Sequence, residues 1–366
     1  MPPSERHRFR SFPGRHNRLP SGQLTMRHLH CRLVNPPTQD PSVFVHFLFL
    51  NRALLFDIGN IEALSNRDIL KITDVFVSHT HMDHFYGFDR LLRVCLGRNK
   101  TIRMYGPEGF LKNVEGKLAA YSWDLVANYP MPFRIEATEV RNDGVWKQTF
   151  RCIDGFRPER EPVFLPEVNP LRSEPRFEVN CALLDHGIPC LGFVLQERFH
   201  VHILEEGLRR LGLKPGRWLV EFKDILYRHP ESREEFRVTD PDTPNQSKTF
   251  QMDMLCQEIA VISQGIRIAY VTDVRYCPEN VEKILILAHR ADRLFIEAAF
   301  LDQDAALAER KHHLTARQAG ELAGRAAVRS LSIFHFSPRY AGRGMDLERE
   351  AREAHDQMSF TLTNTP

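Results

Sequence analysis

Residues 72–84 read Ile-Thr-Asp-Val-Phe-Val-Ser-His-Thr-His-Met-Asp-His, a short apolar segment followed at once by three histidines and an aspartate. The apolar, β-branched half predicts a buried strand. Alternate residues of an extended chain point to the same side, so His79 and His81 can hold one ion together. Asp83 and His84 follow where the chain turns towards a helix, which places them beside a second ion. Imidazole nitrogen and carboxylate oxygen are ligands that zinc prefers, so this segment predicts a metal site.

Outward from that segment, short apolar stretches alternate with stretches whose apolar residues repeat at helical spacing, which predicts a layered α/β fold. Prolines at five positions between 150 and 176 predict loops there. The predicted strands cover residues 43–50, 53–57, 72–78, 101–105, 176–184, 190–196, 266–272, 293–296 and 331–334. The predicted helices cover residues 88–96, 107–120, 281–289 and 314–327.

Further ligand-type side chains stand at the ends of later strands. His186 lies between two strands, Asp273 and Glu297 each end one, and His335 ends the last. In layered α/β folds, ligand sites collect at strand ends, where loops from separate strands converge. We therefore expect these side chains to share one site with the early histidines.

Composition excludes several classes of protein. The 366 residues are 42% hydrophobic and 26% charged, close to the averages for globular proteins, which argues against wholesale disorder and fibrous repeats. No run of eighteen apolar residues exists, so we expect no membrane-spanning helix. Seven scattered cysteines without a Cys-x-x-Cys pair favour a reducing, cytoplasmic environment.

The charge is unevenly distributed along the chain. Lys plus Arg number 49 and Asp plus Glu number 47, a formal net charge of +2. Residues 1–25 carry five arginines and one glutamate, which leaves −2 for residues 26–366. Nucleic-acid binding would therefore depend on a local basic patch rather than on the whole surface.

Residues 197–263 interrupt the strand–helix alternation and predict a protruding insertion. It starts with a predicted amphipathic helix at 201–211 and continues as a polar stretch through Asn245. Ten basic and twelve acidic residues give it a net charge of −2. Four basic residues without an intervening acid could bind phosphates if they share a face; the alternative is an ordinary solvated surface. These residues are Arg209, Arg210, Lys214 and Arg217.

Six sequence blocks, taken in order, resemble the ribonuclease Z type of the metallo-β-lactamase superfamily, over about residues 26–340. The blocks are Ser78-His-Thr-His-Met-Asp-His84, Leu184-Asp-His186-Gly, Thr272-Asp273-Val-Arg, Ile296-Glu297-Ala-Ala-Phe, His313-Leu-Thr-Ala-Arg-Gln-Ala319 and His335-Phe-Ser-Pro-Arg-Tyr340. The resemblance implies a four-layer αββα sandwich. It also implies a zinc-dependent phosphodiesterase that removes the 3′ trailer from precursor tRNA by a metal-activated hydroxide.

The same resemblance implies a role for each candidate residue. One zinc ion would be held by His79, His81 and His186, and the other by Asp83, His84 and His335. Asp273 would bridge the two ions, which Mn²⁺ or Fe²⁺ could replace. Asp83 would also orient or deprotonate the attacking water, and Glu297 with His313 would protonate the leaving 3′ oxygen. Arg339 would contact phosphate or else pair with a surface acid.

Composition and the resemblance together suggest the organisation of the whole chain. We expect a disordered basic extension at 1–25, a hydrolase domain at 26–345 with an inserted arm at about 197–263, and a C-terminal helix and tail at 346–366. Precursor tRNA or another phosphodiester would be the partner, no membrane would be involved, and two copies would form a homodimer.

Several positions depart from the family pattern. Ile58-Gly-Asn-Ile-Glu62 lacks the acidic turn usual there, residues 296, 299 and 314 differ, and the arm is net acidic. These departures leave two alternatives open. One is a related metallo-hydrolase that acts on another phosphodiester or ester. The other is an inactive RNA-binding scaffold, against which the complete set of seven ligand-type side chains argues.

Overall fold

The computed structural model describes residues 29–48, 50–129, 131–158, 160–243 and 245–363. The predicted basic extension at 1–25 lies outside the described residues. No helix in these ranges is both long and apolar enough to cross a bilayer.

The strands and helices of the described residues are numbered here in chain order. The strands are β1 (Leu29–Leu33), β2 (Val43–Phe47), β3 (Arg52–Phe56), β4 (Ile72–Phe76), β5 (Lys100–Pro107), β6 (Phe133–Arg141), β7 (Gly144–Arg151), β8 (Val163–Leu165), β9 (Arg172–Ser173), β10 (Phe177–Asp185), β11 (Pro189–Glu197), β12 (Phe199–Ile203), β13 (Glu235–Thr239), β14 (Ser247–Gln251), β15 (Ala260–Gln264), β16 (Arg267–Val271), β17 (Arg293–Glu297) and β18 (Leu331–Phe334). The α-helices are α1 (Asn66–Ile69), α2 (Met82–Phe85), α3 (Phe88–Cys95), α4 (Phe110–Ala119), α5 (Glu205–Arg210), α6 (Trp218–Arg228), α7 (Met252–Ile259), α8 (Pro278–Ala288), α9 (Ala305–Lys311), α10 (Ala316–Arg325) and α11 (Gly344–Thr363).

Two sheets carry most of these strands. The first runs β1 to β8 in sequence order, and β3, β4, β5 and β6 are parallel to one another. The second has the order β18-β17-β16-β11-β10-β9, and β16, β17 and β18 are parallel. Parallel neighbours need a crossover connection, which α3 and α4 supply in the first sheet and α8 and α10 in the second. This arrangement leaves the carboxyl ends of the parallel strands free to carry loops.

Aromatic side chains pack the two sheets face to face. The ring of Phe193 on β11 lies 5.9 Å from that of Phe56 and 5.6 Å from that of Phe76. On the outer faces, helices α3 and α4 pack on the first sheet and helices α8 and α10 on the second. Each sheet thus buries one face against the other sheet and one against helices, and the predicted αββα order of layers is confirmed.

The prediction of an amphipathic helix at 201–211 is wrong for its first half. Strand β12 pairs with β15 instead, and Val201 is fully buried. Only α5 is helical. Alternating Phe199, Val201 and Ile203 favour a strand once a partner is available, and that partner lies some sixty residues further on.

Two other regions hold more structure than the sequence predicted. The stretch treated as polar contains α6, because Trp218, Phe222 and Leu226 lie four residues apart and bury one side of a helix. The hairpin β13–β14 follows it. The predicted loop at 150–176 contains the short strands β8 and β9.

The described residues divide into two compact units. One consists of residues 174–177 and 197–266 and is called the arm unit below; the other contains the remaining described residues. The arm unit includes the predicted insertion and has an apolar core of its own, formed by Trp218, Phe222, Phe236 and Leu255 among others.

Candidate metal centre

The predicted ligands stand on strand ends in the unit outside the arm. His79 comes three residues after β4, and His186 comes directly after β10. Asp273 comes two residues after β16, and His335 comes directly after β18. Asp273 and His335 have φ angles of 39° and 62°, a left-handed backbone that turns the chain sharply at each strand end. The structure brings all seven predicted ligand residues together.

The Asp273 carboxylate lies at the middle of this group. Its Oδ2 atom is 3.6 Å from His79 Nε2, 3.3 Å from His84 Nε2 and 3.5 Å from His186 Nε2. Its Oδ1 atom is 3.0 Å from His335 Nδ1. Asp273 is only 3% exposed, so a single buried carboxylate faces four imidazoles drawn from three segments of the chain. This is the position that the resemblance assigns to a bridging ligand.

The ligand atoms fall into overlapping groups of metal-binding size. In each group, one atom per residue lies within 4.8 Å of the atoms of the others. The groups are His79, His81, His186 and Asp273; Asp83, His84 and His335; and Asp273, Glu297, His313 and His335. The first two match the two predicted ligand sets, with Asp273 in the first. The third adds Glu297 and His313 as a further possible set.

Two buried nitrogen atoms test whether these residues fit a cation. His84 Nε2 and His335 Nδ1 are both buried, and neither makes a hydrogen bond to a described residue. A buried ring nitrogen left without a partner costs on the order of 1–3 kcal/mol. Both atoms face the Asp273 carboxylate at 3.0–3.3 Å. Two buried ring nitrogens that face one carboxylate without a hydrogen-bond partner fit a shared divalent cation.

The electrostatics of the site also favour positive charge. Burial, helped by the neighbouring His84, lowers the pKa of His79 to about 2, so its imidazole is neutral and can act as a ligand. Burial acts in the same direction on His84, but the Asp273 and Asp57 carboxylates outweigh it and raise the pKa of His84 to about 10. Carboxylates that stabilise an extra proton so strongly would also stabilise a metal ion in its place.

Asp57 is a site residue that the sequence analysis did not identify. Its buried carboxylate accepts hydrogen bonds from the Ser78 backbone N–H at 2.6 Å and the Ser78 hydroxyl at 2.7 Å. It also accepts from His84 Nδ1 at 2.8 Å and from the Tyr270 hydroxyl at 2.7 Å. These bonds leave the other ring nitrogen of His84 to face Asp273. The available signal was an aspartate at the end of a predicted strand, as for Asp273.

Glu297 and His313 form the predicted pair. Glu297 Oε2 lies 2.9 Å from His313 Nδ1, and Glu297 Oε1 accepts the Val274 backbone N–H at 2.7 Å. The fully buried carboxylate therefore joins His313 to the loop that carries Asp273. Burial lowers the pKa of His313, but the Glu297 carboxylate, through its charge and its hydrogen bond, and the nearby Asp273 together raise this pKa above its usual value.

The predicted RNA contacts differ in whether they already pair with an acid. Arg209, Arg210, Lys214 and Arg217 lie in the arm unit and are exposed. Arg210 pairs with Glu258 at 3.1 Å and Lys214 with Asp242 at 2.6 Å, whereas Arg209 and Arg217 form no ion pair with a described residue. Outside the arm unit, Arg339 pairs with Asp304 at 3.2 Å.

Replacement of Asp57 by Asn tests whether this carboxylate stabilises the site without metal. The amide nitrogen would bring N–H donors against groups that already donate, so we expect Asp57→Asn to lower the free energy of unfolding by about 3 kcal/mol. The measurement is urea unfolding in the presence of a chelator. Asp154→Asn is the control, because Asp154 is 39% exposed and its loss should cost about 0.5 kcal/mol or less. Equal stability of Asp57→Asn and wild type would contradict the prediction.

Comparisons with known proteins agree with this geometry. No family model matches the chain. It is 30% identical over 290 residues to a ribonuclease Z from Deinococcus radiodurans, covering 78% of this chain and 83% of that protein. It is 32% identical over 298 residues to a ribonuclease Z from Crocosphaera subtropica, covering 79% and 77% respectively.

Among solved structures, a long form RNase Z from yeast superposes with a TM-score of 0.51 and 15% identity, over 86% of this chain and 38% of that one. At that identity the superposition indicates a common fold alone. The fold, the converging ligand-type residues and the sequence identities together show that this chain belongs to the ribonuclease Z family of metal-dependent endoribonucleases, with the metallo-β-lactamase fold.

Proposed function

We propose that this protein is a tRNA 3′-processing endoribonuclease that removes the 3′ trailer from precursor tRNA with the help of two divalent ions, zinc first among them. The observation that carries the proposal is that four imidazoles face the buried Asp273 carboxylate, while His81 and Asp83 complete the two adjoining groups of ligand atoms. Membership of the ribonuclease Z family supports the choice of RNA as the substrate.

The residues divide naturally between two ions. One ion would be held by His79, His81 and His186, the other by Asp83, His84 and His335, with Asp273 between them. When bound, such ions lower the pKa of water to about 7 and offset the negative charge of a phosphodiester. Zinc, Mn²⁺ and Fe²⁺ all accept this donor set, so zinc is proposed on the family resemblance and not on the ligand types alone.

Asp83 is placed to handle the attacking water. Its Oδ2 atom lies 3.2 Å from His335 Nε2, and its side chain is 43% exposed. The contact with His335 therefore fixes one carboxylate oxygen of Asp83, while the rest of the Asp83 carboxylate remains accessible to solvent. We assign it the role of orienting the water and of taking up its proton as the new oxygen–phosphorus bond forms.

His313 is placed to serve the leaving group. Its Nδ1 atom faces Glu297, so its Nε2 atom is the one that can hold a proton towards the substrate. Glu297 stabilises the protonated ring, as the raised pKa of His313 indicates. As the bond from phosphorus to the 3′ oxygen breaks, that proton would pass to the oxygen and leave a 3′ hydroxyl on the tRNA.

We assign RNA binding outside the centre to the arm unit. Arg209 and Arg217 are its best candidates, because both are exposed and neither is neutralised by a described acid. A homodimer is proposed on the family resemblance alone. A cytoplasmic location is proposed because all seven cysteines are free thiols, as expected in a reducing compartment.

The proposal is tested by cleavage of a 3′-extended tRNA, followed on a gel, with purified wild-type chain and added Zn²⁺ or Mn²⁺. We expect one cut that releases the trailer, and about two metal ions per chain by elemental analysis. The alternative substrate class is probed in parallel with bis(p-nitrophenyl) phosphate. Rapid turnover of that small diester without any cut in the tRNA would reject the tRNA assignment in favour of another phosphodiester or ester.

Replacement of His313 by Ala tests its role as proton donor. We expect His313→Ala to lower kcat for tRNA cleavage by about 10²–10⁴-fold with the metal content unchanged. His289→Ala is the matched control, since His289 is an exposed histidine at the end of α8. Loss of metal from His313→Ala would place His313 among the ligands instead, as its grouping with Asp273 and His335 allows.

Reversal of two arm charges tests RNA binding by the arm unit. We expect Arg209→Glu with Arg217→Glu to weaken tRNA binding and to reduce the slope of log affinity against log salt by about 1 to 2. The control, Arg233→Glu with Arg237→Glu, makes the same change in net charge on exposed residues of the same unit. Equal slopes for the two double variants would remove the segment 209–217 from the RNA-binding surface.

A further inference from the structure

We propose that His312 is a positioning residue that, together with Arg275, fixes the orientation and the tautomer of His186. The inference rests on the proposed role of His186 as a metal ligand. His312 lies next to the predicted proton donor, and neither the ligand set nor the proton-donating pair uses it.

His186 and His312 bond to each other reciprocally. His186 Nδ1 donates to the backbone carbonyl of His312 at 2.8 Å. His312 Nδ1 donates in turn to the backbone carbonyl of His186 at 3.2 Å. The first bond requires the proton of His186 to sit on Nδ1, which leaves Nε2 with a free lone pair. That atom is the one that faces the Asp273 carboxylate, 3.5 Å away.

Arg275 selects the tautomer of His312 in the same way. Its Nη2 atom lies 2.9 Å from His312 Nε2. A guanidinium can only donate, so Nε2 of His312 must accept and its proton must sit on Nδ1. That is the tautomer needed for the bond to the His186 carbonyl. Arg275 is itself held by an ion pair with Asp185 at 3.5 Å.

Close packing leaves the ring of His312 little freedom. A Cβ atom added to Gly187 would lie 2.4 Å from His312 Nδ1, so the ring sits directly against the backbone that follows His186. Gly187 and His312 have φ angles of 80° and 59°. The backbone turns sharply at both residues, and these turns make the close approach of the two loops possible.

A buried amide completes the link to the Asp273 loop. Asn280 is 1% exposed, and its side chain accepts the Asp185 backbone N–H at 3.0 Å. The same side chain donates to the carbonyls of Asp185 at 2.9 Å and Arg275 at 2.8 Å. His312 stands next to His313 in sequence, bonds to His186 and contacts Arg275 in the loop that carries Asp273. It thus connects the three loops that carry His186, Asp273 and His313. A histidine that binds a metal through one ring nitrogen is usually held by a hydrogen bond from its other ring nitrogen.

The test compares two substitutions at one position. His312→Gly removes the ring and accepts the positive φ without strain, whereas His312→Asn tolerates that φ and keeps a donor for the His186 carbonyl. His355→Ala is the control, a half-buried histidine whose ring contacts the Val328 carbonyl, remote in sequence from every ligand. The readouts are the ring tautomers of the metal-free chain, from ¹H–¹⁵N correlation spectra at pH 8, and zinc affinity in competition with a chelator.

In wild type we expect His186 to be protonated at Nδ1 alone, and in His312→Gly to show both tautomers. We expect His312→Gly to bind one of the two zinc ions about 10–100-fold more weakly and the other normally. His312→Asn should recover most of that loss, and His355→Ala should bind both ions as wild type does. A role in general stability alone would instead lower the unfolding midpoint without this selective loss.

The inference is overturned if His312→Gly keeps the single tautomer and the wild-type affinity for both ions. It is also overturned if the variant loses both ions equally. Failure of the tRNA assignment looks different, because it would change the substrate but leave both zinc ions and this comparison of variants intact. Failure of the metal centre itself would show as a wild-type chain that binds no divalent ion. The tautomer of His186 in the metal-free chain decides the inference in that case as well.

Discussion

The site depends on one buried carboxylate that faces four imidazoles. Asp273 is surrounded by His79, His84, His186 and His335 at 3.0–3.6 Å, and it is 3% exposed. A negative charge in such a place is costly unless positive charge accompanies it, either as protons on the histidines or as metal ions between the ligands. The centre therefore favours the binding of cations. In their absence, the surrounding fold has to offset the free-energy cost of burying the Asp273 carboxylate.

Several buried polar groups around the ligands provide this support. Asp57 orients His84, Glu297 joins His313 to the Asp273 loop, and we infer that His312 orients His186. Each takes up one nitrogen of an imidazole and leaves the other towards the centre, which is how the ring is kept in one tautomer. The supporting groups come from strand ends and loops of both sheets, so the orientation of the ligands is a property of the whole sandwich.

The arm unit, to which we assign RNA binding, is less basic than that role suggests. The predicted insertion has a net charge of −2, and two of its four clustered cations are already paired with acids. RNA binding by the arm unit would therefore depend on a few exposed arginines rather than on a broad positive field.

The sequence by itself determined the alternation of strands and helices and the seven ligand-type residues, because periodicity, the short block at 79–84 and polar residues at predicted strand ends are local patterns. The family resemblance implied the αββα layers and the division of the ligands into two sets. It also suggested the pair Glu297 and His313. Only the tertiary structure decided the pairing of β12 with β15, since the partner strand lies about sixty residues away. It alone revealed Asp57 and His312 as well, because a hydrogen bond between residues 27 or 126 positions apart leaves no trace in local sequence. Periodicity records which face of an element is buried, whereas the orientation of an imidazole depends on which distant groups surround it.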